Sequence, residues 1–287
     1  MKGTIIKGIG GFYYVKASDN VYECKARGVF RKKRITPTIG DVVEIETSGE
    51  KGSIVDILDR RSYLVRPPVA NIDTMLLVVA AAAPEPSLFL IDKMLVNAEI
   101  NNIHPVLCIN KTDLEKRNDI KKLYENAGYE VFCVSAEKNK GTDKLKKYLS
   151  GRTTAFAGLS GVGKSSLLSI ITEDTLETGD VSEKIQRGRH TTRHVELFEL
   201  NNGGFVLDTP GFSSLELEGI KADELWEYFP EMRNHRDECR FRGCSHINEP
   251  DCVIKNKVES GEIASTRYGS YTQLYKQLKS VKEWEKK

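Results

Sequence analysis

The chain has 287 residues, with 43 Lys and Arg against 41 Asp and Glu, a formal charge of +2, 39% hydrophobic and 29% charged residues. That length allows one large domain or two to three modest ones, and so even a charge balance requires any basic surface to be local. The longest apolar stretch, 75–83, falls far short of the roughly 18–20 residues that span a bilayer, and Met1-Lys2-Gly3-Thr4 lacks the apolar core of a secretion signal, so a cytoplasmic protein with no membrane partner is expected.

Residues 1–66 read as β. Short runs at 4–7, 11–16, 22–26 and 42–46 mix apolar, aromatic and charged residues between turn-forming Gly-Gly, Ser-Asp-Asn and Pro-Thr-Ile-Gly-Asp. Such short strands predict a small antiparallel β-barrel, an OB-fold. Lys25, Arg27, Phe30, Arg31, Lys32, Lys33 and Arg34 form a basic segment, with Phe12, Tyr13, Tyr14 and Tyr22 upstream. Cations with aromatic platforms suit RNA binding; a solvated basic loop over core aromatics is the competing reading.

Arg66-Pro67-Pro68 marks a boundary, because consecutive prolines cannot continue a strand ladder. Over 67–220, apolar runs at 74–80, 105–109, 131–134, 154–157 and 205–207 read as buried parallel strands, the second and third carrying Cys108 and Cys133. Amphipathic stretches at 88–102 and 115–127 lie between them, so the fold class is α/β. Residues 221–287 read as a helical module. Tyr271, Leu274, Tyr275, Leu278, Val281 and Trp284 recur there at helical spacing, with Lys276, Lys279 and Lys282 on the same helix.

Three segments carry nucleotide chemistry. Gly158, Leu159, Ser160, Gly161, Val162, Gly163, Lys164 and Ser165 match G-x4-G-K-[ST] between a strand and a helix, and Ser166 continues the loop. Backbone N–H groups there can wrap phosphates, Lys164 would reach the β and γ groups, and Ser165 would ligate Mg²⁺. Asp208-Thr209-Pro210-Gly211 follows a strand, placing an acid for magnesium and a glycine N–H, that of Gly211, for a γ-phosphate. Asn110-Lys111-Thr112-Asp113 would read guanine: the Asp113 carboxylate accepts from the ring N–H and the exocyclic amine, Asn110 helps fix base and loop, and the Lys111 stem lies along the base. Ser135-Ala136 is the companion loop whose backbone would meet the guanine oxygen.

The motif order departs from Ras-like GTPases, since the base-reading segment precedes the phosphate loop. A circularly permuted domain keeps the same sheet, because domain termini often lie close together. Downstream, Cys239, Cys244, His246 and Cys252 have the spacing of a structural zinc site, with His235 as a competing fourth ligand. Four protein ligands would close the shell, which makes a hydrolytic role for that metal unexpected.

With these motifs on one chain, the sequence closely resembles the RsgA/YjeQ/YloQ family over essentially its whole length. The resemblance implies an N-terminal OB-fold, a circularly permuted P-loop GTPase domain and a C-terminal helical zinc-binding domain, with His246 favoured over His235. It also implies GTP hydrolysis in late maturation of the small ribosomal subunit, stimulated by that subunit and its rRNA. The 187–194 segment stands where a switch is expected; Thr192, or Thr191 one residue earlier, would ligate Mg²⁺. Phe212 occupies the place of the water-orienting glutamine of Ras-like enzymes, so His190, to which the resemblance also points, is the expected catalytic group. Gly161 stands where K⁺-activated GTPases commonly carry Asn, so no potassium ligand is assigned. The expected protein is a monomer that uses GTP hydrolysis as a timer. The alternatives are a nucleotide-gated RNA-binding protein whose hydrolysis is incidental, and a metabolic GTPase without RNA, which leaves the outer domains unused.

Overall fold

The computed structural model describes residues 1–32, 35–172, 195–208, 217 and 219–284. Strands β1 (Lys2–Ile9), β2 (Phe12–Ala17), β3 (Asn20–Ala26), β4 (Val42–Ser48) and β5 (Lys51–Ile57) close into a barrel in the order β1-β2-β3-β5-β4. All neighbours are antiparallel except β3 with β5, the five-stranded OB arrangement expected from the sequence. Alternation turns Ile5, Val15, Cys24, Val43, Ile45 and Ile54 into the barrel core. A short helix, α1 (Gly28–Lys32), follows β3 where the sequence reads as a basic loop, and it buries Phe30 in that core. Phe30 is therefore removed from any stacking surface. Tyr13 and Tyr22 also pack on the core, whereas Phe12 carries Lys25 Nζ 4.7 Å above its ring.

The prolines at 67 and 68 do not end pairing. Arg66–Pro67 is a cis peptide at the turn of a hairpin between β6 (Tyr63–Val65) and β7 (Pro68–Ala70). Pro68 is tolerated because it stands first in its strand.

The next unit alternates β8 (Thr74–Ala80), α2 (Leu88–Ile100), β9 (His104–Asn110), α3 (Asn118–Asn126), β10 (Glu130–Cys133), α4 (Thr142–Leu149), β11 (Thr153–Ala157) and α5 (Lys164–Thr172), then β12 (Phe198–Glu199) and β13 (Phe205–Asp208). The sheet order is β10-β9-β8-β11-β13-β12, parallel but for β12. Odd and even residues of β8 feed two separate apolar clusters, Met75 and Leu77 with Ile91 and Leu107, and Leu76 and Val78 with Phe156 and Leu167. Burial on both faces is why these strands read as continuous apolar runs. Helix α4 escaped the sequence reading because only Thr142, Leu145 and Leu149 face inward. Cys108 is buried as expected, but Cys133 is exposed, since β10 is an edge strand.

The C-terminal part holds a 3-10 helix (Ala222–Tyr228), α6 (Pro230–Arg233), α7 (Val253–Glu259) and α8 (Ser265–Trp284). Tyr271, Leu274 and Tyr275 of α8 are buried while Lys276 and Lys279 stay exposed, a packed helix with a wet face. Its core, with Leu225, Phe229, Met232 and Ile254, includes Val96 of α2, so the module is fused to the α/β unit by dry contact. At the same junction Arg267 is fully buried, donating to Asp92 (2.6 Å), Glu231 (2.7 Å) and the Tyr129 hydroxyl (3.3 Å).

Candidate nucleotide and metal sites

β8, β9 and β11 are neighbours in the sheet, and the segments leaving their C-terminal ends carry the candidate nucleotide-site residues. The loop 158–163 joins β11 to α5, and its backbone runs too close to its neighbours for any side chain at two points. A Cβ on Gly158 would strike the Val78 carbonyl, and one on Gly163 would strike the Asn110 amide; both have positive φ. Asn110, last in β9 and buried, explains the second restriction. Its Nδ2 donates to the Val162 carbonyl (2.9 Å), and its Oδ1 accepts from the Ala136 amide (3.0 Å). One side chain thus ties the phosphate loop to the Ser135-Ala136 loop across 52 and 26 residues of sequence.

The base-reading segment is interlocked with the same loop. Thr112 donates to the Val134 carbonyl through both N–H (3.1 Å) and Oγ1 (2.9 Å). The Ser135 hydroxyl donates to the Asp113 carboxylate and accepts from the Lys138 amide (3.1 Å). That hydroxyl holds the Asp113 carboxyl below its usual range, so Asp113 is an ionised, pre-aimed acceptor at neutral pH. Lys111, at φ 63°, donates to the Ala83 carbonyl. The loop 81–87 that supplies this acceptor is held by Arg117, which donates to Ala81 O (3.4 Å) and Glu85 (2.8 Å). Sequence reasoning missed this wall because two of its acceptors, the Ala81 and Ala83 oxygens, are backbone carbonyls, which no residue type announces.

Lys164 Nζ donates to the carbonyls of Gly158 (2.8 Å) and Leu159 (2.9 Å), lying across its own loop. Burial pushes its ammonium below the usual value, and the charge of Asp208 opposes the shift. Asp208 reaches this position because β13 pairs beside β11, with Asp208 opposite Phe156. Leu159, Ser160, Gly161, Ser165 and Ser166 are exposed at the loop and first helical turn, while Val162 is buried beneath. The Ser165 hydroxyl and Asp208 carboxylate are hard oxygen donors, the chemistry Mg²⁺ takes alongside phosphate and water. His190, Thr191, Thr192, Gly211 and Phe212 lie outside the described residues.

In the C-terminal module, one ligand atom from each of Cys239, Cys244, His246 and Cys252 lies within 4.8 Å of the others. His246 Nδ1 is 3.3 Å from Cys252 Sγ and 3.6 Å from Cys239 Sγ, and the two sulfurs are 4.0 Å apart. A tetrahedral zinc with bonds of about 2.3 Å to sulfur has edges of about 3.8 Å, so these donors fit it, and the sulfur spacing is not that of a disulfide. His235 stands outside the group, bonded to Glu238 (2.8 Å). Two supports were not foreseen. Trp226 meets the His246 ring edge-on at 5.7 Å. Glu249, accepting from the Ser245 amide (2.9 Å) and hydroxyl (2.7 Å) and from the Ile247 amide (3.1 Å), shapes the 245–249 turn; burial opposes its ionisation, yet these donors hold its carboxyl down at about 2.

Sequence models of two families match the chain: RsgA GTPase over residues 57–218, and RsgA N-terminal domain over residues 2–55. Its relatives include proteins named small ribosomal subunit biogenesis GTPase RsgA. That of Alkaliphilus metalliredigens is 47% identical over 99% of both chains, and that of Caldanaerobacter subterraneus subsp. tengcongensis is 49% identical over 100% of this chain and 98% of the relative. Among solved structures, YjeQ from Thermotoga maritima matches with a TM-score of 0.83 at 36% identity, covering 96% of this chain and 98% of that one. YloQ, described as a circularly permuted GTPase, matches with a TM-score of 0.83 at 38% identity over 98% and 95%.

Proposed function

The chain belongs to the RsgA GTPase family, and on that premise we propose that it hydrolyses GTP to GDP and phosphate in late maturation of the small ribosomal subunit, which stimulates the reaction. The observation that carries this reading is the position of Asn110, whose one amide joins the phosphate loop to the guanine-side loops. The phosphate loop and the base-reading loops would therefore serve one bound nucleotide, with Asp208 brought alongside by the pairing of β13 with β11, although their order in the chain is permuted.

In this reading GTP lies along the loop 158–166 with its base against Asp113, Lys111 and Ser135-Ala136. Lys164 leaves its own loop carbonyls to meet the β- and γ-phosphates. Ser165 and Asp208, with Thr192, would hold Mg²⁺, which neutralises phosphate charge when bound. Gly211 offers its N–H to the γ-phosphate, and His190 positions or activates the attacking water. Cys239, Cys244, His246 and Cys252 would hold one structural Zn²⁺. The barrel (1–66) and the zinc module (221–287) grip rRNA on either side of the nucleotide domain (67–220). The protein acts as a cytoplasmic monomer; among the described residues no helix is long and apolar enough to cross a membrane.

GTP hydrolysis measured with and without purified small subunits, with large subunits as control, tests this directly. Strong stimulation by small subunits alone is expected, and its loss in His190→Ala. No stimulation with GTP still bound would leave a nucleotide-gated RNA binder, and full stimulation of His190→Ala would remove the catalytic assignment.

The base assignment predicts a change of specificity. In Asp113→Asn the side-chain oxygen can still take the Ser135 hydroxyl, but an N–H now faces the guanine amine. GTP affinity should fall about a hundredfold, while xanthosine triphosphate, with an oxygen at that place, should gain. Competition binding of the two nucleotides reads this out, and equal losses for both would show that Asp113 does not read the base.

A further inference from the structure

The OB barrel closes on itself, yet β1 has an additional partner. β4 covers β1 only from Lys2 to Thr4. Beyond that point the chain entering β12 takes over: Leu197 N–H donates to the Ile6 carbonyl (2.9 Å), and Lys7 and Glu196 form an antiparallel bridge. The register of β1 shifts between Ile5 and Lys7, the kind of irregularity that re-aims a strand. Two ion pairs clasp the junction: Lys7 Nζ donates to both Glu196 carboxylate oxygens (3.0 and 2.9 Å), and Lys16 of β2 meets Glu199 (2.8 Å). Ile6 and Leu197 pack in the same apolar cluster as Leu207. On its other side β12 pairs with β13, Phe198 with Val206 and Glu199 with Phe205, and β13 ends at Asp208.

We infer that the segment 196–199, which bridges β1 through Glu196 and Leu197 and pairs with β13 through β12, is shared between barrel and nucleotide domain, so that RNA held by the barrel acts on Asp208 through it, with Lys7 and Glu196 as positioning residues of the stimulated reaction. The inference rests on the proposed function for its RNA partner and its reaction. The physical reason is that paired segments move together: displacing β1 and β2 of the barrel without residues 196–199 would break the Leu197–Ile6 bond and separate both ion pairs. Asp208 in turn sits close enough to Lys164 for its charge to be felt there. Linkage makes the effect reciprocal, so the nucleotide bound must alter the grip on RNA by the factor with which RNA alters nucleotide affinity.

The test uses the full-length protein, purified small subunits and three variants: Lys7→Gln, Glu196→Gln and the charge-swapped double variant Lys7→Glu/Glu196→Lys. Melting temperature and GDP affinity should stay at the wild-type value. Each single variant should lose about fivefold of the subunit-stimulated rate, the scale of one half-exposed ion pair, while basal hydrolysis is unchanged and the swapped pair recovers most of the loss. Glu196→Gln separates the shared segment from a simple phosphate contact by Lys7, because glutamate repels phosphate. Full stimulation in Glu196→Gln, or no recovery in the swapped pair, overturns the proposal. A second readout is independent of turnover: subunit affinity in GTP relative to GDP, which should differ in wild type and converge in both single variants. If wild-type hydrolysis is not stimulated, the proposed function fails in that arm, and the shared segment is judged by this ratio alone, an unchanged ratio in the variants overturning it.

Discussion

Replacing Cys252 with alanine is expected to strip the metal from the C-terminal module and unfold residues 234–264. Between α6 and α7 the chain runs from 234 to 252 without a helix or strand, so it is organised by the ligand cluster, the Glu249 turn and side-chain bonds such as those of the Tyr268 and Tyr271 hydroxyls to the His246 and Ser245 carbonyls. Cys252 is almost fully buried and its sulfur faces both His246 Nδ1 (3.3 Å) and Cys239 Sγ (4.0 Å). Binding of a structural zinc contributes about 10–16 kcal/mol, and for a segment this irregular that binding energy is folding energy. Zinc content should drop from one per chain to near zero, with loss of helical signal and protease cleavage within 234–264. GTP affinity should change only a fewfold, because none of the described contacts of the phosphate and base loops comes from this module. The thermal midpoint of the whole chain should nevertheless fall, since Val96 of α2 lies in the same core as Leu225 and Phe229. A module that stays folded without metal would refute the structural role.

The second large effect is expected at Arg267. Its guanidinium is enclosed by Tyr124, Tyr129 and Phe229, with its charged atom 4.7–5.6 Å from their ring centres, and it pairs with Asp92 and Glu231. Asp92 accepts from Tyr124 (2.7 Å) as well, so two acids and two phenols from α2, α3, α6 and the turn before β10 converge on one cation of α8. Removing the arginine leaves Asp92 and Glu231 as buried like charges. Arg267→Ala should therefore lose about 3–5 kcal/mol, a large share of the roughly 5–15 kcal/mol that holds a domain together. Replacing the acids at the same time, in Arg267→Met/Asp92→Asn/Glu231→Gln, should return part of that loss, because buried neutral amides carry a far smaller desolvation penalty than unpaired carboxylates. Denaturant unfolding of the two variants measures both effects. A cost below about 1 kcal/mol in the single variant would mean that water reaches the site.

These expectations show how the protein is legible from its sequence at some levels only. The nucleotide loops and the metal ligands were readable because their chemistry demands particular residue types at short, fixed spacing: glycines where the backbone turns against a carbonyl, a lysine and serine at the helix start, three thiols and an imidazole within fourteen residues. The sheet was readable for a related reason, since strands buried on both faces must be apolar throughout. Helix α4, with only three inward side chains, and two-residue β12 carry too little pattern to be seen. The prolines at 67–68 did not show the β6–β7 hairpin they sit in, because the first residue of a strand lacks the constraint of a ladder's middle.

What only the tertiary structure decided is how the parts are joined. By itself the sequence determined an OB barrel, a permuted nucleotide domain and a zinc-spaced helical module, together with candidate residues for their chemistry. It held no sign that Arg267 would be buried 175 positions from Asp92, or that β1 would pair with the chain at 196–197. Local pattern records the environment of each residue, polar or apolar, strand or turn. It does not record a partner, because hydrogen bonds and ion pairs between distant segments depend on where the folded backbone brings them together, and any of several asparagines, arginines or lysines satisfies the same local pattern.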